Sequence, residues 1–206
     1  MKRPSTSEAP AGSVRQNQKK KTREALLAAA RKVLKRRGLA KTTTREVAEE
    51  AGVAAGTFFV HFPDVDVLVE ALLDDHLTYA LEKAIGSLPR RGDLVCRLLH
   101  VSKALFESYD AEPELAREYL AASLFRSRPG GPTETRLRQF QDWVTGQISE
   151  ERGGEPGLDP RHAFGMFFWL YFGTLVAGLR GQMSRRDQLA VLEAGLRRLF
   201  KMEESA

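Results

Sequence analysis

Apolar side chains recur every three to four residues along most of the chain, which is the spacing that one buried face of an α-helix requires. The first such run begins at Thr22, includes Leu26 and Val33, and stops at Gly38, so that it predicts a helix over residues 22–37. No stretch alternates apolar and polar residues between hairpin turns, and no strand is therefore predicted. The pattern indicates an all-α protein of about nine helices.

The next segment predicts a helix, a tight turn and a short second helix. Thr43 and Glu46 have the spacing of a capping box at a helix start. Gly52 suits the left-handed turn conformation that ends such a helix, and the following helix ends near Pro63. Residues 43–62 therefore have the pattern of a helix-turn-helix unit.

Beyond this unit, clusters of Gly and Pro separate six further helical segments. They are predicted at residues 64–85, 93–109, 113–127, 133–152, 160–180 and 185–202. Before the first helix, residues 1–18 are rich in Pro, Ser, Ala and Gly and carry too few apolar side chains to offset the entropy of ordering. The predicted organisation is a disordered basic tail over 1–21, a helix-turn-helix domain over 22–63 and a helical effector-binding and dimerisation domain over 64–206.

Charge is distributed unevenly along the chain. The formal net charge is +5, but residues 1–62 hold 14 basic and 5 acidic side chains and carry +9. Residues 63–206 hold 18 basic and 22 acidic side chains and carry −4. A basic end favours a polyanionic partner, either nucleic acid or an anionic membrane surface. The single cysteine, Cys96, excludes an internal disulfide framework, and the polar N-terminus lacks the apolar core of a signal peptide, so a cytoplasmic protein is expected.

The residue types around the turn fit a DNA-reading role. Ala48, Ala51 and Gly52 are small where the two helices meet, and Val53 supplies an apolar plug in the turn. A recognition helix presents small or polar side chains at its N-terminal end to base edges. The upstream basic segment, Lys19–Arg23, is placed to follow phosphates or to enter a minor groove.

These residues resemble the N-terminal domain of TetR-family transcriptional regulators. The resemblance is carried by TREALLAAA from Thr22, by Gly38, and by TTTREVAEEAGVAAGTFFVHF from Thr42, and it covers about residues 22–72. It implies a homodimeric regulator whose N-terminal domain binds a pseudo-palindromic operator on double-stranded DNA. It also implies a C-terminal helical domain that dimerises and binds a small hydrophobic or aromatic effector, which releases a repressor from DNA.

Candidate DNA-binding residues combine the basic segment, the capped helix start and the recognition helix. They are Lys19, Lys20, Lys21, Arg23, Thr43, Thr44, Arg45, Ala55, Gly56, Thr57, Phe59 and His61. For the lysine run and Arg45 a solvated surface is the alternative, and for His61 a core position is equally open. The chain departs from the family at three positions. It has Ala54 where the family often has Ser, Phe59 where the family usually has Tyr, and Val65 where the family usually has Lys. In the family the Tyr and Lys side chains usually contact phosphates. Fewer phosphate contacts imply weaker binding, which the lysines at 19–21 are expected to offset in part.

One segment, residues 163–179, carries no charged side chain. A membrane span needs about 20 apolar residues, with roughly 17 as the lower limit, so a span is one interpretation of it. A buried helix is favoured, because no second such run exists and Gly165 and Gly173 permit close helix packing. One protomer covers only one face of this helix, so the other face favours contact with a second copy of the chain. This helix and the last helix of each copy would then form a four-helix interface. The predicted dimer interface comprises Phe164, Phe168, Phe172, Leu175, Leu192, Leu196 and Leu199.

Aromatic residues concentrate in the C-terminal part of the chain. Core packing is the ordinary explanation for each of them, whereas as a set they suit an apolar pocket with a few polar groups. The candidate ligand-binding residues are Cys96, His100, Phe106, Tyr109, Tyr119, Phe125, Trp143, Phe167 and Tyr171.

The sequence offers little support for catalysis. It contains no nucleophile elbow, no phosphate-binding glycine loop and no His-Glu-x-x-His motif, and its four histidines are scattered. The run Asp74–His76 points in three directions if helical, so no enzyme activity, cofactor or metal is expected. The departures at Phe59 and Val65 keep one alternative open, a helical dimeric protein that binds small molecules or proteins and has weak or non-specific affinity for DNA.

Overall fold

A computed structural model describes residues 11–125, 132–152 and 159–200. Within these ranges the chain forms nine α-helices, one short 3-10 helix at Leu39–Lys41 and no β-strand, which confirms the predicted all-α fold. The helices are α1 (Ala11–Arg37), α2 (Thr44–Glu50), α3 (Ala55–His61), α4 (Val65–Gly86), α5 (Leu94–Ala111), α6 (Pro113–Phe125), α7 (Pro132–Arg152), α8 (Pro160–Leu179) and α9 (Arg185–Leu199).

The chain divides into two compact units, Met1–Leu72 and Leu73–Ala206, which we call the first and second units. The sequence suggests a boundary at residues 63–64, where Pro63 precedes a helix. The structure places the division later, within α4, because Leu68 and Val69 in the first turns of that helix are fully buried and belong to the first unit. Helix α4 therefore begins in one unit and ends in the other.

Helix α1 is longer than the sequence predicts. Residues 11–21 are expected in a disordered tail, but they form the first turns of α1, so that prediction is wrong for this stretch. Apolar burial does not explain these turns, since Val14 is 60% exposed. Lys, Arg and Gln have high helix propensity, and the Lys20–Glu24 pair adds local support at 4.0 Å. Residues 1–10 lie outside the described part of the chain.

The first unit has a small apolar core made by the inner faces of its helices. Its fully buried side chains include Leu26, Ala30, Val33, Val47, Ala48, Phe58, Leu68 and Val69. Helix α1 ends as predicted, because Gly38 adopts a left-handed conformation with φ of 72°. The Gly38 amide donates to the Leu34 carbonyl at 2.7 Å and so closes the last turn.

In the second unit, close packing of α8 on α9 depends on glycines. A Cβ atom at Gly195 would overlap the side chain of Leu170, and one at Gly178 would overlap the amide of Gln188. The sequence predicts close helix packing at Gly165 and Gly173 as well. A Cβ atom at either glycine would meet nothing within 4 Å in the protomer, so neither makes a close contact with a described residue, and their packing role stays a prediction.

Helix α8 is the apolar segment for which the sequence leaves a core helix and a membrane span open. By length and hydropathy Pro160–Leu179 passes the criterion for a span, and it is the one helix among the described residues that does so. One of its faces is buried inside the second unit, with Phe167 fully inaccessible and Leu175 1% exposed. A core helix of a folded domain passes the same criterion, and the buried face favours that interpretation.

The capping box at the start of α2 provides a test of local stability. Thr43 Oγ1 accepts from the Glu46 amide at 3.2 Å, and Glu46 Oε2 accepts from the Thr43 amide at 3.2 Å. Thr43→Ala is expected to lower the free energy of unfolding by about 1 kcal/mol, because the Glu46 amide at the helix start loses its side-chain acceptor. Chemical denaturation followed by circular dichroism measures the change.

The matched control for that change is Thr22→Ala. Thr22 Oγ1 donates to the Gln18 carbonyl within α1, where alanine is the better helix former, so stability should stay equal or rise. Equal losses in both variants would show that the capping box contributes nothing specific.

Candidate DNA-binding and ligand-binding sites

Helices α2 and α3 form the predicted helix-turn-helix. Gly52 has φ of 70°, which allows the sharp turn after α2, and the Val53 amide donates to the Ala48 carbonyl at 3.0 Å. Val47 and Ala48 are fully buried, so the small side chain at 48 permits the close approach.

Burial fixes which face of α3 is presented to solvent. Phe58 is fully buried and Phe62 is 1% exposed, and these two rings hold the inner face of the helix. On the outer face, Ala55 and Gly56 are exposed, and Phe59 is 58% exposed. The exposed surface of α3 is therefore small and partly apolar at its N-terminal end, as a helix that reads base edges requires.

The basic side chains of α1 fall into two groups. Lys19, Lys20 and Lys21 are exposed to solvent. Arg23 is half-buried, and its guanidinium lies 4.8 Å from the centroid of the Phe62 ring. This cation–π contact ties Arg23 to the end of α3, whereas Lys20 makes only a weak, exposed pair with Glu24. The lysine run therefore keeps its charge directed to solvent.

At the start of α2, the three candidate residues differ in their contacts. Arg45 is exposed and its Nε donates to Glu49 Oε1 at 2.9 Å, one turn along the helix. Thr43 is exposed and serves the capping box, and Thr44 is half-buried. The backbone amides of a capped helix N-terminus are a favourable position for a phosphate.

His61 lies half-buried at the end of α3. Its Nδ1 atom is buried and has no hydrogen-bond partner among the described residues. Burial lowers the pKa of His61 below its usual 6.5, and the positive charges of Lys19 and Arg23 lower the pKa further. The ring of the protein without DNA is therefore neutral at neutral pH. Thr57, the remaining candidate of α3, is half-buried.

In the second unit the described residues line a partly open cavity of about 150 Å³. Helices α4 to α8 contribute its walls, and most of the lining is apolar. The lining residues are Leu77, Leu81, Leu105, Tyr109, Tyr119, Leu120, Thr133, Arg136, Leu137, Phe140, Phe168, Tyr171, Phe172 and Leu175. Three of the nine predicted ligand-binding residues, Tyr109, Tyr119 and Tyr171, are among them.

Two polar residues predicted for the ligand pocket lie elsewhere. Cys96 is near the start of α5, where its amide donates to Asp93 Oδ1 at 2.8 Å in the helix cap. His100 lies within hydrogen-bond distance of Ser87, with 3.2 Å between Nε2 and Oγ. Neither residue lines this cavity, and no ligand-binding role for either is supported by it.

Three aromatic residues predicted for the pocket also do not line it. Phe106 is fully buried and stacks on Tyr171 with ring centroids 5.0 Å apart. Phe167 is fully buried, and Trp143 is half-buried beside Phe140. All three are packing residues around the cavity wall. The side chain of the fourth, Phe125, lies outside the described residues.

The charged residue of the cavity, Arg136 on α7, is not among the residues predicted from the sequence. Its side chain is 11% exposed, with Nη1 donating to Asp74 Oδ1 and Nη2 to the hydroxyl of Tyr119. Its guanidinium also lies 5.5 Å from the Tyr119 ring centroid. The sequence does indicate that Arg136 faces inward. Position 136 lies four residues before Phe140, and the buried residues Phe140, Val144 and Ile148 follow one another at the same spacing on one face of α7.

Several residues predicted for the dimer interface point into their own protomer. Leu192 and Leu196 are fully buried, Leu175 is 1% exposed and Phe164 is 7% exposed, so they offer a partner almost no surface. The stripe on α9 packs on the second unit itself, and a role for these four residues at a dimer interface stays a prediction.

The other predicted interface residues, Phe168, Phe172 and Leu199, are half-buried in the protomer, and their interface role stays a prediction. Phe168 and Phe172 line the cavity together with Leu175. Leu199 is half-buried near the end of α9. The outward face of α8 instead presents Met166, 62% exposed, and Trp169, 67% exposed.

The capped helix α2, the tight turn at Gly52 and the exposed outer face of α3 have the arrangement of a helix-turn-helix unit. Residues 26–72 match the family described as bacterial regulatory proteins, tetR family. The resemblance found in the sequence is confirmed: the chain carries the N-terminal domain of tetR-family regulators.

Curated relatives support the same family. The uncharacterized HTH-type transcriptional regulator YvkB of Bacillus subtilis (strain 168) is 35% identical over 98 residues, which are 47% of this chain and 49% of that protein. The HTH-type transcriptional regulator TtgR of Pseudomonas putida is 42% identical over 67 residues, 30% of this chain and 32% of that protein. The matched segments thus span half or less of these relatives.

Solved structures extend the likeness of fold to both units. The TetR-family transcriptional repressor FadR of Thermus thermophilus, solved in complex with lauroyl-CoA, has a TM-score of 0.68 at 22% identity. The alignment covers 89% of this chain and 97% of that one. A TetR transcriptional regulator from Rhodococcus sp. RHA1 has a TM-score of 0.65 at 20% identity, with 86% and 96% covered. At these identities the likeness establishes the fold.

Proposed function

We propose that this TetR-family regulator is a homodimeric repressor that binds a pseudo-palindromic operator and leaves it when a small apolar ligand enters the cavity. The observation that carries the proposal is the presence of an exposed recognition helix in the first unit and of a partly open, mostly apolar cavity in the second. Such a protein acts on chromosomal DNA, which agrees with the cytoplasmic location expected from the sequence.

Helix α3 is proposed to enter the major groove. Its exposed Ala55, Gly56 and Phe59 suit apolar contact with thymine methyl groups more than bidentate hydrogen bonds to guanine or adenine. Phosphate contacts are assigned to the exposed Arg45 and to Thr44 at the capped start of α2. These contacts orient the protein without reading sequence.

Phe59 and Val65 replace residues that usually contact phosphates in the family. Lys19, Lys20 and Lys21 are proposed to supply phosphate contacts in their place. Replacing Lys19, Lys20 and Lys21 together by glutamine is expected to weaken operator binding and to make its salt dependence shallower. Each phosphate that is no longer neutralised reduces the slope of log K against log salt by about 0.9. Because all three side chains are exposed, the fold should be unaffected.

Fluorescence anisotropy across salt concentration measures that slope. The matched control replaces Lys35, Arg36 and Lys41 by glutamine, which removes the same charge elsewhere in the first unit. An equal slope in the Lys19–Lys21 variant and the unaltered protein would exclude these lysines from the DNA interface.

The dimer is proposed to form through the outward face of α8. Met166 and Trp169 are exposed there, and the adjacent Gly173 lets another helix approach closely. An exposed apolar face on a protein of this size favours a partner surface, and a second copy provides a self-complementary one. Sedimentation of the intact protein tests this: a stable monomer at low micromolar concentration would exclude the dimer.

Ligand-dependent release is proposed to work by a population shift. Leu77 and Leu81 of α4 line the cavity, and the same helix begins at Val65 in the first unit. A ligand that binds better to one arrangement of α4 shifts the population toward it. The Thermus repressor in complex with lauroyl-CoA supports a ligand-binding role for the equivalent helical unit.

The decisive experiment is selection of genomic DNA fragments by the purified protein at two salt concentrations. Enrichment of an inverted repeat that persists at the higher salt concentration is the expected result. Enrichment that disappears with salt, or no enriched sequence at all, would contradict operator binding and would favour a ligand-binding or protein-interaction role. Small apolar compounds that fit the cavity are then tested for their ability to release the protein from the enriched fragment.

A further inference from the structure

The one charged side chain in the described lining of the cavity is a cation, although the walls are mostly apolar. Arg136 is a lining residue, whereas its partner Asp74 is not. The remaining polar lining groups are Thr133 and the hydroxyls of Tyr109, Tyr119 and Tyr171. No carboxylate belongs to the described lining, so a cationic ligand would find no counter-charge there.

The tyrosines of the cavity stay protonated. Burial raises the pKa of Tyr109 well above 10, and the neighbouring phenols of Tyr171 and Tyr119 raise it further. Burial likewise raises the pKa of Tyr171, although the positive charge of Arg136 opposes that rise. Protonated phenols donate hydrogen bonds, and together with a guanidinium they complement an anion that carries acceptors only.

The position of Arg136 allows the carboxylate of Asp74 to be replaced by the carboxylate of a ligand. The Asp74 side chain is 14% exposed, so its carboxylate retains access to water when the ion pair opens. Tyr119 accepts from Nη2 of Arg136 and lies 3.2 Å from Thr133 Oγ1, which keeps the guanidinium beside the cavity. A ligand carboxylate is able to take the place of Asp74 and form the bidentate pair that guanidinium favours.

We infer that the cavity binds a small apolar carboxylic acid as its anion, with the carboxylate on Arg136 and the hydrocarbon part against the leucine and phenylalanine side chains. This inference rests on the proposed ligand-binding function and names its ligand class. The volume of about 150 Å³ accommodates one ring or a short branched chain, since a cavity of this size holds a benzene ring. Because Asp74 belongs to α4, the exchange changes the contacts of the helix that begins in the first unit.

Calorimetric titration of the intact protein with a charge series of one shape tests the inference. Benzoate, benzamide and benzylammonium have the same ring and carry negative, neutral and positive polar groups. Benzoate is expected to bind at least about tenfold more tightly than benzamide, because only the anion forms charge-assisted bonds with Arg136. Benzylammonium should bind weakest of the three.

Variants then assign the difference to named residues. Arg136→Gln is expected to remove most of the preference for benzoate over benzamide, and Arg136→Lys to retain part of it. Asp74→Asn should strengthen benzoate binding, because the competing carboxylate becomes neutral. Removing one member of a buried ion pair carries a risk of unfolding, so the charge series on the unaltered protein remains the deciding measurement.

Three outcomes would overturn the inference: benzamide binding as tightly as benzoate, benzylammonium binding most tightly, or none of the three binding at millimolar concentration. DNA selection separates this failure from failure of the proposed function. An enriched operator with tight benzamide binding would preserve the regulator and reject the anion site. Preferential benzoate binding without any enriched DNA would preserve the site and reject operator recognition.

Discussion

Replacing Phe167 by alanine is expected to lower the free energy of unfolding of the second unit by about 3–5 kcal/mol. Phe167 is fully buried on α8, with ring centroids of Phe140, Tyr171 and Phe164 at 5.7, 6.1 and 6.4 Å. Truncation removes apolar surface from this cluster and leaves a void that rigid aromatic neighbours do not fill. Urea unfolding followed by circular dichroism measures the destabilisation.

The matched control is Tyr79→Ala on α4. Tyr79 is 64% exposed, and its ring makes one distant cation–π contact, with Lys83 Nζ at 6.0 Å. Its truncation should change the free energy of unfolding by about 0.5 kcal/mol or less. A destabilisation at Phe167 no larger than that at Tyr79 would contradict the aromatic core described above.

Substituting Gly56 by glutamate is expected to weaken operator binding by more than about a hundredfold at low salt. Gly56 is exposed on the proposed reading face of α3, and a negative side chain there would lie against phosphates and base acceptors, a like-charge juxtaposition that costs several kcal/mol. Stability should be unchanged or higher. A Cβ atom at this position meets nothing within 4 Å, and glutamate in a first helical turn interacts favourably with the helix dipole.

Gly86→Glu is the matched control, since it adds the same charge at another open helical glycine. Gly86 is exposed at the end of α4 in the second unit, and a Cβ atom there also meets nothing within 4 Å. Anisotropy titration of the selected operator should show nearly unaltered affinity for this variant. If the two variants lose equal affinity, the effect arises from net charge, and α3 is not the reading helix.

The helix-turn-helix was predictable from the sequence because its determinants are local. The capping box of Thr43 and Glu46 and the positive φ of Gly52 involve residues within one or two turns of each other. Spacing alone therefore identified the unit. The extra helical turns before Thr22 were missed, because intrinsic helix propensity without apolar periodicity gives a weak signal.

The cavity was only partly predictable. An apolar side chain on a helix has the same sequence signature whether it packs on a neighbour or borders a space, so Phe106 and Phe167 were not distinguishable from Tyr171. Arg136 and Asp74 are 62 positions apart, and their pairing depends on how α7 meets α4. No local pattern encodes such a meeting.

The sequence by itself determined the all-α class, the helix-turn-helix and the basic first third of the chain. It also determined that one helix is apolar on all its faces. Each follows from spacing, capping or composition within a short stretch. Only the tertiary structure decided which face of α8 is buried and which side chains border the cavity. It also placed Trp169 outside and Leu196 inside, because burial depends on contacts between helices that are distant in sequence.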